Sequence, residues 1–196
     1  MNIELKNITG DQISGYIPEL AELRIQIFRE FPYLYDGSLI YEKQYLKTYA
    51  ASDKTIIVIA LIDGRVAGAS TGTPLVQQPD TVIRPFKNAG YDMERIFYFG
   101  ESVLEKQYRG HGIGVRFFEE REKHAHSLGF PVTTFCAVDR PADHPMRPPN
   151  YISLDEFWNN RGYTIRPELQ TTFRWQDIGD TSETEKPMVF WTKEVT

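Results

Sequence analysis

Three glycines at alternate positions mark the stretch of this chain that is best suited to bind a phosphate group. Gly110, Gly112 and Gly114 lie in the run QYRGHGIG, residues 107–114. An apolar, β-rich run at 96–104 precedes it, and a segment with helical periodicity follows. Glycine lets the backbone approach an anion closely, and the free N–H groups at a helix N-terminus hold that anion. The order strand, glycine loop, helix therefore predicts a phosphate-binding loop.

The spacing of these glycines excludes two common phosphate motifs. A P-loop requires GxxxxGK followed by Ser or Thr, and residues 107–114 contain no lysine. The dinucleotide fingerprint requires GxGxxG, and Val115 occupies the position of its third glycine. The pattern that remains is Q/R-x-x-G-x-G, with Gln107 at its first position. An ordinary glycine-rich turn between a strand and a helix is the alternative interpretation.

Residues 108–114 resemble the acetyl-coenzyme A signature of the GNAT N-acetyltransferase superfamily, whose usual form is close to YRGxGIG. The resemblance is specific over residues 97–128 and weaker over 157–163. It implies a single acetyltransferase domain over residues 1–196. The implied fold is of the α/β (α+β) class, the GNAT acyltransferase fold, with a mixed central sheet of about six to seven strands flanked by helices.

The resemblance also implies an activity. A GNAT enzyme moves an acetyl group from acetyl-CoA, its co-substrate, to a primary amine, and it uses no metal. We expect the acceptor to be a small-molecule amine, and a homodimer is compatible with the resemblance. Two alternatives remain open: a protein N-acetyltransferase, and a non-catalytic acetyl-CoA-binding sensor or regulatory module.

The resemblance assigns the cofactor to the glycine loop and to the strand before it. The pyrophosphate is expected on backbone N–H groups of the loop, and the pantetheine arm along residues 103–105, like an added strand. The Leu104 N–H would then polarise the thioester carbonyl, as an oxyanion donor does. The residues expected to contact the cofactor are Val103, Leu104, Gln107, Arg109, Gly110, His111, Gly112, Ile113, Gly114 and Val115.

Two residues are the candidates for acid–base chemistry. Glu101, eight residues before Arg109, occupies a place where many relatives carry an active-site carboxylate, and a general base contributes roughly 10²–10⁴-fold. A strand carboxylate paired with a cross-strand cation is the alternative. Glu105 is the runner-up, and we expect it to face solvent. Many relatives have a tyrosine general acid in an FYxxxGF run, but this chain reads FWNNRGY, with Trp158 at that position.

An indole N–H is too weak an acid to protonate a thiolate, so Trp158 leaves the general acid open. Tyr151, at the start of the same segment, is the nearest substitute. The thiolate could instead leave unprotonated or through water, or another tyrosine could serve. Trp158 in place of the relatives' tyrosine also supports the alternative of a non-catalytic sensor.

Two loops are the candidates for binding the acceptor. The aromatic segment 28–37 lies between the first two predicted helices, where relatives form the acceptor pocket, and aromatic faces with carboxylates suit a cationic amine. The proline-rich loop 139–152 is long for a compact domain, and such loops are often functional. The residues expected to contact the acceptor are Phe31, Tyr33, Tyr35, Asp36 and His144. Plain packing of both loops onto the body is the alternative.

The composition favours an ordinary globular protein. The net charge of -5 and the pI near 5.4 argue against non-specific nucleic-acid binding, which needs a basic surface. The single cysteine, Cys136, excludes an internal disulfide and fits a reducing cytoplasm, where we expect the protein. The sequence contains no apolar run of about 18 residues, so we expect no membrane partner.

Periodicity predicts the element order β-α-α-β-β-β-α-β-α-β-β. The predicted strands are 2–8, 55–62, 66–76, 96–105, 132–138 and 188–193, and residues 163–165 with 171–175 are expected to form a strand or a hairpin. The predicted helices are 17–30, 39–51, 112–128 and 153–161, with a short one within 79–90. The residues spaced at threes and fours along the second helix are Ile40, Tyr41, Gln44, Tyr45 and Thr48. Strict alternation along the central strand places Glu101 on the side of Phe97 and Phe99, unless a bulge shifts the register.

Overall fold

The computed structural model describes residues 1–195 and shows a mixed seven-stranded sheet with helices on both faces. The strands are β1 (Ile3–Ile8), β2 (Ile56–Ile62), β3 (Arg65–Pro74), β4 (Ile96–Leu104), β5 (Val132–Val138), β6 (Thr164–Trp175) and β7 (Thr184–Glu194). The helices are α1 (Ile17–Phe28), α2 (Leu39–Ala50), α3 (Asp80–Asn88), α4 (Ile113–Ser127) and α5 (Asp155–Asn159). The predicted fold class and strand number are thus confirmed.

The strand order is β1-β2-β3-β4-β5-β7-β6, and only the central pair β4 and β5 is parallel. That pair is short: Ile96, Phe97 and Tyr98 face residues 132–134, and no later residue of β4 pairs with β5. The two strands therefore separate after Tyr98. The second half of β4 has a backbone edge that no strand within residues 1–195 covers.

A bulge in β4 reverses which residues face which side of the sheet. Ser70 of β3 faces Ser102, but Gly72 faces Phe99, so β4 has one extra residue opposite Thr71. As a result Glu101 lies on the α1 and α2 side of the sheet, and not on the side of Phe99 as strict alternation predicted. The prediction failed because a single inserted residue moves all later side chains to the other face.

The packed face of α2 does not include Ile40 and Tyr41, which are 85% and 61% exposed. The buried residues of this helix are Glu42, Leu46 and Tyr49. Hydropathy was misleading here because the buried face carries a carboxylate and hydroxyl groups that find partners inside the protein.

The last two strands are longer than expected. The segments 163–165 and 171–175, predicted to form a strand or a hairpin, belong to one strand, β6, whose register on β7 shifts between Arg166 and Gln170. Strand β7 begins at Thr184, four residues before the predicted start at 188. Among residues 1–195, no helix is long and apolar enough to cross a membrane.

Candidate active site

The glycine loop joins β4 to α4 and presents backbone at an open surface. Gly110 and Gly112 have φ values of 83° and 78°, in the left-handed region that favours glycine. A Cβ built on either residue would have no protein atom within 4 Å. Gly112 is the N-cap of α4, and the first turn of that helix carries no acidic residue. The loop is therefore a concave backbone surface at the positive end of a helix dipole, which suits an anion.

Buried Glu105 braces the base of the glycine loop. Arg65 of β3 donates to Glu105 Oε2 at 2.9 Å, and Gln107 Nε2 donates to the same oxygen at 2.6 Å. The hydrogen bond from Arg65 holds the pKa of the Glu105 carboxyl below its usual value of 4.5. Glu105 is only 5% exposed, so the expectation that it faces solvent was wrong. Its burial follows from Arg65, which gives the carboxylate a partner.

Arg109 ties the glycine loop to both neighbouring segments. Its Nη1 donates to Glu30 Oε2 at 2.8 Å, just after α1, and its Nε donates to the Leu104 carbonyl at 3.1 Å. His111 is exposed and lies with Nδ1 within 3.3 Å of the carbonyls of Tyr108 and Arg109. The loop is thus anchored at its start and open along residues 110–112.

The ladder between β3 and β4 decides which β4 backbone groups face the gap beside β5. The Glu105 N–H donates to Ala67 O on β3. Because bonded and non-bonded pairs alternate along an antiparallel ladder, Val103 also bonds β3, while Ser102 and Leu104 direct their backbone groups to the gap. A cofactor paired with this edge would therefore contact Leu104 and Ser102 through backbone, and Val103 only indirectly.

Glu101 lies on the bulge, with its side chain only 6% exposed. Arg24 of α1 forms an ion pair with Glu101 Oε1, and the Tyr45 hydroxyl of α2 lies 3.2 Å from Glu101 Oε2. Arg24 also pairs with Glu42, and its guanidinium stacks over the Tyr45 ring at 4.4 Å. Burial opposes the charge of Arg24, but Glu101 and its neighbours hold the Arg24 pKa well above its usual value. One arginine between two carboxylates leaves this cluster with a net negative charge.

A second buried arginine braces the bulge from the opposite face of the sheet. Arg121 of α4 is 1% exposed and donates to the carbonyls of Thr71 and Glu101 at 3.2 and 3.1 Å. It also donates to Ser102 Oγ at 2.9 Å and lies over the Phe99 ring at 4.2 Å. Burial lowers the Arg121 pKa to about 10. The carbonyls around the bulge thus receive hydrogen bonds from a side chain.

The two candidate acceptor loops contact each other. The Phe31 ring lies 4.7 Å from the Tyr151 ring and 5.7 Å from the His144 ring. The Arg147 guanidinium lies over Tyr151 at 4.8 Å. Burial raises the Tyr151 pKa. The structure therefore brings together three of the residues predicted from separate segments, as an aromatic cover over the end of α1.

A buried ion pair anchors the aromatic loop from the far side. Arg140 donates to both oxygens of Asp177 at 2.8 Å and also to the carbonyls of Pro32 and Tyr33 at 2.8 and 2.9 Å. Trp175 Nε1 donates to the same Tyr33 carbonyl. Burial favours the neutral acid, but the bonds from Arg140 and the nearby Lys186 outweigh it and hold the Asp177 pKa below its usual value.

The remaining predicted acceptor residues have separate surroundings. Tyr35 is half-buried, and burial followed by the nearby Glu42 carboxylate raises its pKa. Asp36 is exposed and pairs with Arg29 at 2.8 Å. Neither contacts Glu101 directly in the hydrogen bonds and ion pairs of residues 1–195. Phe31, by contrast, contacts the other candidate loop through its ring.

Cys136 and Trp158 pack against neighbouring side chains and offer no nucleophile or acid. Cys136 is buried on β5, with Sγ 3.3 Å from the Tyr98 hydroxyl, and burial raises its pKa to about 12. Trp158 packs against the rings of Phe135 and Trp191 at 5.0 and 5.1 Å. Cys136 thus behaves as a small buried residue.

Comparison with known proteins identifies this architecture. No protein-family model and no curated protein matches the sequence. Among solved structures, a ribosomal-protein-alanine N-acetyltransferase from Brucella melitensis matches with a TM-score of 0.64 at 15% identity, over 97% of this chain and 99% of its own. A GNAT-family acetyltransferase from Streptococcus pneumoniae matches with a TM-score of 0.60 at 16% identity, over 100% of both chains. The chain has the GNAT fold.

A further structural neighbour contains a cofactor. The yncA structure from Salmonella typhimurium, solved with its cofactor acetyl-CoA, matches with a TM-score of 0.63 at 10% identity, over 98% of this chain and 94% of its own. The GNAT fold that the resemblance implied is thus confirmed.

Sequence reasoning missed the two arginines that surround Glu101 in this GNAT fold. Arg24 lies seven residues after Ile17 and four after Leu20, on the buried stripe of α1. Arg121 lies four residues after Phe117, on the buried stripe of α4. A charged residue in register with an apolar stripe was the signal that would have found both, because such a charge must be paired or hydrogen-bonded inside.

A surface groove lies away from the glycine loop and β4. It encloses about 750 Å³ between α3 and β6, and its lining includes Arg84, Pro85 and Gln170. None of its lining residues belongs to the glycine loop or to β4. We base the candidate site on the backbone edge of β4 and the charges around Glu101, because those features carry chemistry that the groove lacks.

Proposed function

We propose that this protein is an acetyl-CoA-dependent N-acetyltransferase whose acceptor is the primary amine of a small molecule. The observation that carries the proposal is the unpaired edge of β4. It runs from the glycine loop at one end to Glu101 at the other, so that one strand links an anion site to a carboxylate. The GNAT fold of the neighbours supports the same reading.

The residues around the gap fit acetyl-CoA. The open space above Gly110 and Gly112 leaves room for a pyrophosphate against backbone N–H groups. The Leu104 N–H faces the gap, where it can donate to a carbonyl oxygen that gains negative charge. Acetyl-CoA, when bound, supplies the acetyl group as a reactive thioester. The groups that we assign to its pyrophosphate and thioester carbonyl are backbone N–H groups of the glycine loop, the first turn of α4 and β4.

Glu101 is the residue that we assign to the acceptor amine. An alkylammonium has a pKa of about 10, so it is mostly charged at neutral pH and must lose a proton before it attacks a thioester. The cluster of Arg24, Glu42 and Glu101 has a net negative charge, which favours binding of the cation. Glu101 then accepts the proton, directly or through a water molecule.

The cover over the acceptor side favours a small acceptor over a protein. Phe31 contacts both Tyr151 and His144, so the two loops close on each other. A peptide would need an open groove between them. The Brucella melitensis neighbour is nevertheless named for a protein substrate, so a peptide with an N-terminal alanine belongs in the test.

The test is release of free thiol from acetyl-CoA across a panel of amines, with the acetylated product identified by mass spectrometry. We expect release with at least one small primary amine and none with the alanine peptide. Release with the peptide alone would identify a protein N-acetyltransferase. Tight binding of acetyl-CoA without release for any amine would identify a sensor. A melting temperature that acetyl-CoA leaves unchanged would contradict cofactor binding altogether.

A further inference from the structure

Four residues around the β4 bulge bring their polar groups together. The Tyr45 hydroxyl lies 3.2 Å from Glu101 Oε2 and 2.7 Å from the Tyr49 hydroxyl. The Tyr49 and Thr71 hydroxyls are neighbours, because a Cβ built on Gly100 would lie within 2.5 Å of both oxygens. Thr71 Oγ1 accepts the backbone N–H of Glu101 at 3.2 Å. We call Glu101, Tyr45, Tyr49 and Thr71 the hydroxyl ring.

The direction of each hydrogen bond follows from the two ends of the hydroxyl ring. The Glu101 N–H can only donate, and an ionised carboxylate can only accept. Each of the three hydroxyls has one proton to donate. Tyr45 therefore donates to Glu101, and Tyr49 donates to Tyr45. Both tyrosine protons point toward the carboxylate, so the two hydroxyls act together to keep Glu101 an acceptor.

Gly100 shows that the hydroxyl ring occupies space that a side chain would fill. Gly100 is not among the glycines with positive φ, so its backbone conformation does not require glycine. A Cβ built on Gly100 would lie 2.4 Å from the Tyr49 hydroxyl oxygen and 2.5 Å from Thr71 Oγ1. Those distances are far below van der Waals contact. A side chain at position 100 and an intact ring therefore exclude each other.

Arg121 fixes the backbone of the hydroxyl ring from the other face of the sheet. Its guanidinium donates to the carbonyls of both Thr71 and Glu101. Arg24 holds Glu101 Oε1, so Oε2 depends on Tyr45 for its hydrogen bond. Without Tyr45 the carboxylate is free to turn toward Arg24. The ring thus adds orientation to a carboxylate whose charge Arg24 already balances.

We propose that Tyr45 and Tyr49 are positioning residues that, with Thr71, hold the ionised Glu101 carboxylate in one orientation toward the acceptor amine. The proposal rests on the proposed function, because it assigns the ring to the group that receives the amine proton. It concerns neither the cofactor nor the glycine loop. Residues that act in this way change the pH dependence of turnover, whereas residues that merely pack α2 onto the sheet change stability alone.

The first experiment compares Tyr45→Phe and Tyr49→Phe with wild type in thiol release, using an amine that wild type accepts. Losing a hydrogen bond to a charged carboxylate favours its protonation. We therefore expect the acid limb of the kcat/KM profile to move up by about one pH unit in Tyr45→Phe. Tyr49→Phe acts through Tyr45, so its shift has the same direction and about half the size. The KM for acetyl-CoA should not change.

Tyr41→Phe is the matched control, because Tyr41 lies on the same helix and is 61% exposed. It loses a tyrosine hydroxyl outside the hydroxyl ring and should match wild type in pH profile and melting temperature. If Tyr45→Phe lowers the melting temperature but leaves the acid limb where it is, the role is structural and the proposal is overturned. The same conclusion holds if Tyr45→Phe and Tyr41→Phe give identical profiles.

The hydroxyl ring can also be detected without turnover. Its tyrosine hydroxyl protons should exchange slowly and give resolved proton NMR signals, which disappear one at a time in Tyr45→Phe and Tyr49→Phe. Thr71→Val removes the third hydroxyl and should shift both signals. If Thr71→Val shifts neither, the ring does not exist. If wild type shows both signals yet releases no thiol with any amine, the proposed function has failed while the ring stands.

Discussion

The donor end and the acceptor end of the candidate site are built in opposite ways. The donor end is the glycine loop with the start of α4, residues 107–115, one continuous stretch whose backbone is open along residues 110–112. The acceptor end is Glu101 with the side chains around it, which come from α1, α2, β3 and α4. The donor end should therefore be sensitive to changes of the backbone and insensitive to changes of side-chain charge. The acceptor end should be sensitive to side-chain charge and insensitive to the backbone. Substitutions can test that difference directly.

The largest effect is expected when a side chain fills the donor end. In Gly112→Val the added atoms meet no protein atom within 4 Å of the Cβ, so they occupy the space left for the pyrophosphate. Two or three hydrogen bonds to a charged group, worth about 1.5–3 kcal/mol each, are then lost. We expect acetyl-CoA binding to weaken by about 10³-fold in a calorimetric titration, and the same for Gly110→Val.

Gly129→Val is the matched control for backbone strain. Gly129 follows the other end of α4, has a φ of 81°, and also has no atom within 4 Å of a built Cβ. It should lose as much stability as Gly112→Val and keep its affinity for acetyl-CoA. Equal affinity in Gly112→Val and wild type would show that the glycine loop does not bind the cofactor.

The second effect is expected at the acceptor end, in Glu101→Gln. Glutamine keeps the shape of the side chain, and Arg24 keeps its pair with Glu42, so the fold should survive. We expect kcat at saturating amine to fall by about 10²-fold, the loss of a general base, with unchanged acetyl-CoA affinity. A kcat within a few-fold of wild type across pH 6–9 would show that Glu101 is not the base. Glu119→Gln, an exposed residue of α4, is the control.

The donor end was predictable from sequence because it is local. Glycine types at fixed spacing report a backbone conformation directly, and the flanking strand and helix have clear periodicity. The GNAT fold followed from the same stretch and from the element order. The only error near the loop was Glu105, whose burial depends on Arg65, 40 residues away.

The acceptor end was only partly predictable because its contacts are distant and depend on register. Glu101 was found, but one extra residue at the bulge placed it on the unexpected face. Tyr45 and Tyr49 lie on a helix face whose polar character concealed its burial. The pair of Arg140 and Asp177 spans 37 residues with no periodic signal. Sequence thus supplied the reactive residue and not the side chains that orient it.

The third effect is expected where the aromatic loop is anchored, in Arg140→Met. Asp177 then keeps only the ion pair with Lys186, with Nζ at 3.3 Å; the Pro32 carbonyl loses its donor, and the Tyr33 carbonyl keeps only Trp175 Nε1. Breaking a buried ion pair costs about 3–5 kcal/mol. We expect a loss of about 3 kcal/mol in the free energy of unfolding and, because the loop bears Phe31, a rise of about 10-fold in KM for the amine.

Arg174→Met is the control for Arg140→Met. Arg174 of β6 pairs with Glu185 of β7 at 3.8 Å on the protein surface. Both partners are more than 60% exposed, so the loss should stay below about 1 kcal/mol. Acetyl-CoA affinity should remain within two-fold of wild type in both variants. A large loss of cofactor affinity in Arg140→Met would mean that the two ends of the site are not independent.

The smallest effect is expected at the base of the glycine loop, as a pH dependence. The pKa of Glu105 is lowered in the folded state, so its stabilisation is present above the unfolded value and is lost as pH falls through the folded value. Arg65 is 57% exposed, which limits the pair to about 1 kcal/mol. The unfolding free energies of wild type and Arg65→Met should therefore differ by about 1 kcal/mol at pH 7, and that difference should shrink below about pH 4.5.

Urea unfolding at pH 7, 5, 4 and 3 measures this convergence, with Lys106→Met as a control that removes a nearby exposed charge. The difference in unfolding free energy between wild type and Lys106→Met should not shrink in the same way as the pH falls. If the gap between wild type and Arg65→Met stays constant down to pH 3, the ion pair with Glu105 is not its source. Acetyl-CoA affinity should fall by less than about three-fold in Arg65→Met, because the pair supports the loop from below and the binding surface itself is backbone.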